Sequence, residues 1–274
     1  MLQDFIQYLT SIRGYSEKTA KAYRTDLQTF ASWAASQVPG AKWSTITRDD
    51  IDRYIINLES RGLMPATTNR ILSAISSLYN FMRRQGLQVE NPCKLESRRK
   101  LASTIPNTIP VEDLQEAYVN AQGVTKTMLG LLATTGIRIA ELLSLRWEDI
   151  NFLDCTIRVV GKGSKERIVA TTYETLRDLE EVAMREHSRG QIFFLSQREA
   201  RFMIWQALKP YSNAPQLSPH AIRHTMATNL AKHGANVAAI ANVLGHRDIR
   251  TTQKYIDMAQ VSAQRACRRY SIIQ

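Results

Sequence analysis

The sequence predicts a mainly α-helical protein of two domains, with a small β-hairpin in the second. Its 274 residues are enough for two domains that each bury a core. Apolar residues recur at helical spacing over most of the chain, whereas residues 156–169 change to the alternation of a β-hairpin. We therefore expect an N-terminal helical domain at 1–97, a linker at 98–110 and a mixed α/β domain at 111–274.

Four amphipathic helices are expected in the N-terminal domain. Ser16 and Thr47 are the expected N-caps of the second and third helices, because a hydroxyl oxygen there accepts a hydrogen bond from the first turn. Gly62 is expected to end the third helix, and the fourth is expected to run from Thr67 to about Gly86. The loops expected between these four helices are short, which predicts a small helical bundle.

The linker combines prolines with a basic run and shows little apolar periodicity. The run consists of Arg98, Arg99 and Lys100, and Pro106 and Pro110 follow it. Because proline interrupts regular structure, we predict an irregular segment between the domains. A run of like charges is usually a solvated surface, and contact with a polyanion is the alternative.

The second domain is predicted to combine helices with a few short strands. The segment 161–164, Gly-Lys-Gly-Ser, is typical of a hairpin turn. In order, we expect helices at 112–121, 126–134 and 137–145, hairpin strands at 156–160 and 167–169, a helix at 173–186, a strand at 192–195 and a helix at 197–208.

The last quarter of the chain gathers most of the histidines on short helices. A helix that starts near Ser218 puts His220 and Arg223 one turn apart on the same face. The free N–H groups at such a helix start favour an anion. After a second helix come His246 and, nine residues later, Tyr255. An anion site beside a tyrosine hydroxyl is suited to phosphoryl transfer.

Composition narrows the class of partner. The net charge of +11 and the pI near 9.7 favour a nucleic acid over a membrane surface, and a generally basic protein is the alternative. No apolar run approaches the length of a membrane span, and the first residues do not resemble a signal peptide, so we expect a cytoplasmic protein. Cys93, Cys155 and Cys267 are isolated, which predicts neither a disulfide framework nor a zinc site.

Several motifs resemble those of a known protein family and occur in the same order and spacing. They are TTGIRIAELLSLRWEDI, which contains Arg138, VVGKGSKERIV, which contains Lys162, and HAIRH followed by LGH and Tyr255. Together they resemble the signature of the tyrosine recombinases, the phage integrase and Xer group, and the resemblance spans nearly the whole chain. It implies a two-domain DNA clamp, in which a SAM-like, core-binding helical bundle accompanies a mixed α/β catalytic domain.

The resemblance implies an enzyme that cleaves and rejoins DNA strands without a metal or another cofactor. Tyr255 would attack phosphorus, form a 3′-phosphotyrosyl bond and release a 5′-hydroxyl. Arginines suit the phosphate because their planar forks grip two oxygens and stay charged. The implied catalytic residues are Arg138, Lys162, His220, Arg223, His246 and Tyr255.

The proton-transfer roles are divided among the remaining groups of this set. Lys162, in the hairpin turn, would be the general acid for the 5′-oxygen, and Lys165 is the competing candidate. His220 would accept the tyrosine proton or donate a hydrogen bond to the phosphate. His246 would bond a non-bridging oxygen.

Neighbouring residues receive supporting or structural roles. Glu141, one turn after Arg138, would hold the arginine side chain, although a plain helix ion pair explains the same spacing. His224 is expected to point elsewhere on its helix and to serve the structure, and His233 is expected to serve the helix end. The DNA-binding candidates are Arg98, Arg99, Lys100, Lys165 and Arg167.

Three other site classes are excluded by the residues. HAIRH lacks the glutamate of a zinc-protease helix. GKGS is not a P-loop, because threonine stands at 156 where a glycine is needed and no serine or threonine directly follows Lys162. No cluster of carboxylates suggests a nuclease with paired metals.

The family further implies partners. These are double-stranded DNA with paired core sites, and a homotetramer on DNA that exchanges strands through a Holliday junction, with a C-terminal helix at 261–273 docked on a neighbour. We expect the cytoplasmic protein to be associated with the nucleoid. The need for a partner recombinase or directionality factor, and host or mobile-element origin, stay open. The alternatives are a type IB topoisomerase-like DNA-relaxing enzyme and a non-catalytic DNA-binding protein on the same scaffold.

Overall fold

The chain divides into two compact units, Met1–Thr104 and Ile105–Gln274, and each has its own hydrophobic core. In this computed structural model the described residues are 1–93, 106–161, 165–186, 190–246, 248, 251–257 and 259, without the side chains of 183–186. Within these residues, none of the helices has the length and apolar character that a membrane span requires.

The described part of the N-terminal unit is helical, as predicted. Its helices are α1 (Leu2–Ser11), α2 (Glu17–Gln37), α3 (Arg48–Ser60) and α4 (Pro65–Arg84). Both expected caps form: Ser16 Oγ accepts the N–H of Thr19 at 3.3 Å, and Thr47 forms a reciprocal capping box with Asp50. The four apolar faces meet in one core.

The start of α4 corrects the sequence prediction. The helix begins at Pro65 rather than at Thr67, and the carbonyl of Met64 accepts the N–H of Thr67 at 2.8 Å. Proline fits the first helical position because it has no N–H to leave unpaired and its φ is already helical. The proline, rather than the threonine, therefore marks this helix start.

The second unit combines helices with a three-stranded antiparallel sheet, in which β1 (Ile150–Asn151), β2 (Thr156–Val160) and β3 (Glu166–Ala170) follow in that order. Buried Ile157 on β2 lies opposite buried Val169 on β3, which fixes the face that joins the core. The elements are α5 (Val111–Asn120), α6 (Gly123–Thr135), α7 (Ile139–Leu143), β1 (Ile150–Asn151), β2 (Thr156–Val160), β3 (Glu166–Ala170), α8 (Tyr173–Glu186), α9 (Gln197–Leu208), α10 (Pro219–Lys232) and α11 (Val237–Leu244), with residues 251–257 helical beyond them.

The predicted helix at 137–145 is shorter in the structure. Gly136 has φ +62°, a left-handed conformation that ends α6. Arg138 is extended, with φ −76° and ψ 151°, and is the N-cap of α7. The turn between α6 and α7 therefore places Arg138 outside the helices, where its side chain is 45% exposed.

The predicted strand at 192–195 is wrong. Within the described residues, this region has only an isolated bridge between Gln191 and Arg146. The side chain of Gln191 donates to the carbonyl of Phe193 at 2.8 Å, where a strand neighbour would otherwise pair. Ile192 and Phe193 are buried in the core, so the apolar residues of this segment indicate burial and not a β-strand. The short strand β1 was not predicted.

Parts of several predictions lie outside the described residues. These parts are the basic run of the linker, residues 162–164 of the hairpin turn, and the C-terminal helix expected at 261–273. The described end of the predicted linker is attached to the second unit, because Ile109 exchanges hydrogen bonds of 2.8 and 3.0 Å with the hydroxyl of Thr225.

Candidate active site

Arg223 lies at the centre of the candidate site and is almost fully buried, with 2% of its surface exposed. The Ser218 side chain caps α10, which directs Arg223 into the core one turn later. Its Nη1 donates to the carbonyl of Gly136 at 2.6 Å, and its Nη2 donates to the carbonyl of Leu244 at 2.7 Å. Burial, and then the charge of Arg138, lower its pKa to about 10, so the guanidinium stays charged at neutral pH.

His246 completes the surroundings of Arg223. Its Nε2 lies 3.0 Å from Arg223 Nη2, and its Nδ1 lies 2.7 Å from Thr252 Oγ1. Because a guanidinium has only donors, Nε2 must accept and the proton must sit on Nδ1, which donates to Thr252. Burial, followed by the charges of Arg223 and Arg138, lowers the pKa of His246 to about 4. The ring is therefore neutral at neutral pH.

Arg138 is the exposed arginine of the site and is held by Glu141. Its Nη1 donates to Glu141 Oε1 at 2.8 Å, and its backbone N–H donates to Glu141 Oε2 at 2.8 Å. Burial would raise the pKa of Glu141, but hydrogen bonds from Arg167 and from the Arg138 backbone hold it below its ordinary value. The carboxylate is therefore charged, and it fixes the arginine that faces solvent.

Arg167, a DNA-binding candidate from the sequence, is mostly enclosed by the protein and bonded to other residues. Its side chain is 13% exposed, Nη2 and Nη1 donate to Glu141 at 2.8 and 3.2 Å, and Nε donates to the carbonyl of Val243 at 3.0 Å. These bonds engage the guanidinium inside the protein. Arg167 thus joins β3 to Glu141 and to the end of α11.

Tyr255 is 1% exposed, and its hydroxyl lies 2.7 Å from Nδ1 of His224. The expectation that His224 points elsewhere is therefore wrong: the histidine faces the tyrosine across the space between α10 and the helical segment 251–257. The reason is that both side chains are buried, with Tyr255 in an apolar cluster, where a hydroxyl requires a partner. Burial raises the pKa of Tyr255, so the hydroxyl is protonated at rest.

His220 lies next to this pair on the exposed side. Its ring centroid is 4.2 Å from that of His224, in an edge-on arrangement. Burial, and then the charges of Arg223, Lys254 and Arg138, lower the pKa of His220. His220 is thus close to the other site residues, but in the described part of the chain the Tyr255 hydroxyl bonds His224 instead.

Positive charges outnumber negative ones around this site. Arg138, Arg167 and Lys254 all act on the pKa values of the buried groups, whereas Glu141 is the carboxylate that raises the pKa of Arg223. The pKa of Lys254 is itself lowered by burial and by Arg223. The described residues therefore leave an excess of positive charge that favours a bound anion.

The remaining predicted residues are not all described. Lys162, Arg98, Arg99 and Lys100 lie outside the described residues. Lys165 is described and exposed, and its carbonyl accepts the N–H of Gly161 at 2.7 Å beside the hairpin turn. His233 caps the end of α10, where its Nδ1 lies 2.8 Å from the carbonyl of Asn229.

Sequence reasoning missed the contributions of His224, Thr252 and Lys254. A signal existed for two of them, because His224 belongs to the HAIRH motif and Lys254 directly precedes Tyr255. Within the described part of the chain, no group of three His, Cys, Asp or Glu side chains is arranged to hold a metal ion.

Two family descriptions match this chain. Residues 109–261 match the phage integrase family, and residues 2–86 match the phage integrase N-terminal SAM-like domain. Tyrosine recombinase XerD of Proteus mirabilis is 30% identical over 94% of this chain and 88% of the relative. Tyrosine recombinase XerC of Herpetosiphon aurantiacus is 31% identical over 93% of this chain and 89% of the relative.

Solved structures of low sequence identity share the fold. The XerH site-specific recombinase, bound to its palindromic difH substrate, superposes with a TM-score of 0.80 at 17% identity and covers 99% of this chain and 84% of its own. The Tn1549 transposon integrase has a TM-score of 0.70 at 18% identity, and the match covers 96% of this chain and 99% of the integrase chain. Because a family description matches more than half of the sequence and the relatives align over nearly all of it, this chain belongs to the phage integrase family, as a tyrosine recombinase of the Xer-like type.

Proposed function

We propose that this recombinase recognises paired core sites in double-stranded DNA and exchanges strands through a covalent tyrosine intermediate. The observation that carries the proposal is the excess of buried and half-buried positive charge around Arg223, next to a buried tyrosine hydroxyl. A phosphodiester supplies the anion that this charge lacks. Relatives solved with DNA support the partner, since the lambda integrase was solved as a dimer bound to a COC′ core site.

In the proposed reaction the arginines stabilise charge on the phosphate. Arg223 offers a guanidinium whose position is fixed by backbone carbonyls, and Arg138 offers an exposed one oriented by Glu141. Fixed cations of this kind stabilise the charge that develops on the non-bridging oxygens without reorganising during the reaction. With a pKa of about 10, Arg223 keeps its proton at neutral pH.

Tyr255 is the proposed nucleophile. Its oxygen would bond to phosphorus while the bond from phosphorus to the 5′-oxygen breaks, which leaves a 3′-phosphotyrosyl bond and a 5′-hydroxyl. The phenol proton leaves to a base, for which His220 is the proposed acceptor, and the 5′-oxygen takes a proton from a general acid, for which Lys162 is the first candidate and Lys165 the second. Because the phosphodiester energy is kept, the strand can be rejoined by the reverse step.

His246 would act on the phosphate after a change in protonation. At rest its Nε2 accepts from Arg223 and has no proton to donate. A phosphate beside the ring would oppose the positive charges that now lower its pKa, and would therefore favour a proton on Nε2. His246 would then donate to a non-bridging oxygen.

The assembly follows the family in this proposal. A homotetramer on paired sites would exchange strands through a Holliday junction, with the segment 261–273 docked on a neighbouring protomer. The assembly would act on DNA in the cytoplasm, associated with the nucleoid, and a partner recombinase or directionality factor is an optional further component of it. Relaxation of DNA by a topoisomerase-like mechanism, or binding without catalysis, is not favoured by recombinase relatives that align over nearly the whole chain.

Covalent trapping tests the proposed reaction. The protein is incubated with nicked suicide substrates drawn from DNA on either side of its gene, and the products are separated on a denaturing gel. We expect a protein–DNA band that disappears in Tyr255→Phe and persists in Tyr173→Phe, which removes an exposed hydroxyl at the start of α8. A band that survives Tyr255→Phe would contradict the assignment of the nucleophile.

A further inference from the structure

The contact between His224 and Tyr255 is a feature that the reaction described above does not use. The two polar atoms are 2.7 Å apart, and the two side chains are 7% and 1% exposed. Within the described residues, His224 is the hydrogen-bond partner of the Tyr255 hydroxyl. The nucleophile is thus held inside the protein by a residue outside the predicted catalytic set.

The groups that would bind the phosphate are engaged elsewhere in this state. The Nη groups of Arg223 donate to the carbonyls of Gly136 and Leu244, and Nη2 also donates to the ring of His246. Exposed Arg138 is held by Glu141 on the solvent side of the site. Because Tyr255 is 1% exposed and Arg138 is 45% exposed, we infer that the tyrosine hydroxyl leaves its buried position to reach a phosphate that Arg138 contacts.

Leaving that position breaks a hydrogen bond and exposes a buried ring. Tyr255 packs on an apolar cluster that includes Ala227, Ile240 and Leu244. Burial, and then the charge of His220, lower the pKa of His224 to about 3. The ring is therefore neutral over the ordinary pH range, and its hydrogen bond with the Tyr255 hydroxyl persists over that range. A neutral imidazole pairs with a hydroxyl in either tautomer.

We propose that His224 is a positioning residue that holds the Tyr255 hydroxyl in a buried resting position, from which the nucleophile is released when DNA is bound for cleavage. The release is a shift between two positions of one side chain, and the hydrogen bond favours the resting one. The effect on cleavage rests on the proposed function, whereas the resting position itself can be measured in the free protein.

Three substitutions separate the hydrogen bond from the volume of the side chain. His224→Phe keeps a ring that can pack against His220 and Tyr255, but it offers no hydrogen-bonding atom. His224→Leu does the same without a ring, and serves if the Phe variant does not fold. His224→Asn places an amide atom close to the position of Nδ1, and is the variant expected to restore the resting state. Thermal unfolding of each variant shows whether it is folded.

The first measurement is the accessibility of the Tyr255 hydroxyl in the full chain without DNA. Acetylation by N-acetylimidazole is followed by mass spectrometry of the tryptic peptides 251–265 and 255–265, which contain no tyrosine other than Tyr255. An unpaired buried hydroxyl is costly, so we expect the labelling rate to rise roughly five-fold or more in the Phe and Leu variants. The Asn variant should label at the rate of the unchanged protein.

The second measurement is the rate of covalent complex formation at saturating suicide substrate. The Phe and Leu variants should form the complex roughly five-fold faster or more, with unchanged DNA affinity, and the Asn variant should match the unchanged protein. A merely structural role would lower the rate and the melting temperature together in all three variants.

Two outcomes overturn the proposal. One is unchanged labelling of Tyr255 in folded Phe and Leu variants, which would show that His224 does not hold the hydroxyl. The other is slower cleavage in these variants with the rate kept in Asn, which would give His224 a direct part in taking the tyrosine proton. Absence of any covalent complex in the unchanged protein would instead refute the proposed function, and the labelling result would still decide the resting position.

Discussion

Arg223 is a buried cation whose hydrogen-bond partners, within the described residues, include no carboxylate. Its guanidinium is hydrogen-bonded by the carbonyls of Gly136 and Leu244, which carry no full charge, and the Glu141 carboxylate acts on it only without a direct bond. A buried cation of this kind is costly unless an anion binds. The residue therefore serves a ligand better than it serves the stability of the fold.

Substitution of Arg223 by lysine tests this role at the residue scale. Lysine keeps the charge but cannot reach both carbonyls and His246 with one ammonium, so the cation would lose its fixed position. We expect Arg223→Lys to lower the rate of covalent complex formation by about 100-fold or more. The exposed Arg201→Lys on α9 is the control, and its rate should stay within a few-fold of the unchanged protein. Equal rates in both variants would contradict the role of Arg223.

The histidines predict a loss of stability in weak acid. His224 and His246 have pKa values lowered to about 3 and about 4 from the ordinary 6.5, so the unfolded chain takes up protons first as pH falls. The stability they contribute is present above pH 6.5 and is lost as pH falls toward those values. The ordinary pKa values of Asp and Glu lie below this range, so histidines are expected to dominate the window between about pH 6.5 and pH 5.

Melting temperatures across this pH window measure the effect. We expect the unchanged protein to lose stability on the order of 1 kcal/mol between about pH 6.5 and pH 5. His224→Phe should lose less over the same window, because one of the lowered groups is gone. An identical pH dependence in both proteins would contradict the burial of a neutral His224.

Some residue roles could not be predicted from sequence because they depend on long-range neighbours. The HAIRH motif identified His220 and Arg223, but the contact between His224 and Tyr255 joins residues that are distant along the chain and appears only when two helices pack. Arg167 is a DNA-binding candidate from its charge, whereas its bonds to Glu141 and to the carbonyl of Val243 depend on residues that are distant along the chain. Charge in a sequence indicates a cation but not its partner.

At the scale of elements, two left-handed glycine turns carry the site. Gly136 and Gly245, with φ +62° and +63°, end α6 and α11, and the carbonyls of Gly136 and Leu244 at these turns bind Arg223. At Gly245 a Cβ would lie 3.0 Å from the guanidinium of Arg167. This glycine is therefore required both for its backbone conformation and for space.

Alanine at Gly245 tests the turn. We expect Gly245→Ala to destabilise the protein by about 2 kcal/mol and to slow cleavage, because the new methyl group displaces Arg167 and the turn beside His246. Gly234→Ala is the control: it has φ +87° but no atom within 4 Å of a Cβ, so it bears only the backbone strain. Chemical denaturation compares the two, and equal losses would contradict the contact with Arg167.

Arg167 links three elements, and its removal should affect more than one. In Arg167→Met, Glu141 keeps Arg138 but loses a buried partner, which should cost about 3 kcal/mol of stability and slow cleavage through Arg138. Arg158→Met on the neighbouring strand is the control, because Arg158 forms partly exposed ion pairs with Asp149 and Glu166 that contribute about 1 kcal/mol or less. A similar loss in both denaturation curves would contradict the linking role.

Helices and strands were predicted correctly where their ends depend on residues close together in the sequence. Ser16 and Thr47 cap their helices as expected because a cap is formed by residues within one turn. The strand expected at 192–195 failed because backbone pairing with residues 145–147 stops at Ile192, and the Gln191 side chain binds the carbonyl of Phe193. The helix expected at 137–145 failed at its start because Gly136 ends the preceding helix and leaves Arg138 extended.

At the scale of the whole molecule, two units with separate cores match two family descriptions, one for each unit. The sequence predicted both units from composition, periodicity and motif order. It could not predict the resting state of the site, in which the proposed nucleophile is buried and Arg223 is engaged by carbonyls. A resting state depends on packing, whereas a motif reports only which residues take part.

The most direct test of the proposed reaction is to identify the residue to which the DNA becomes covalently attached. The covalent complex trapped on a suicide substrate is digested with nuclease and trypsin, and the peptides are analysed by mass spectrometry. We predict a nucleotide attached to Tyr255, in peptides 255–265 or 251–265. Attachment to another residue would contradict the assignment of Tyr255 as the nucleophile of the site around Arg223.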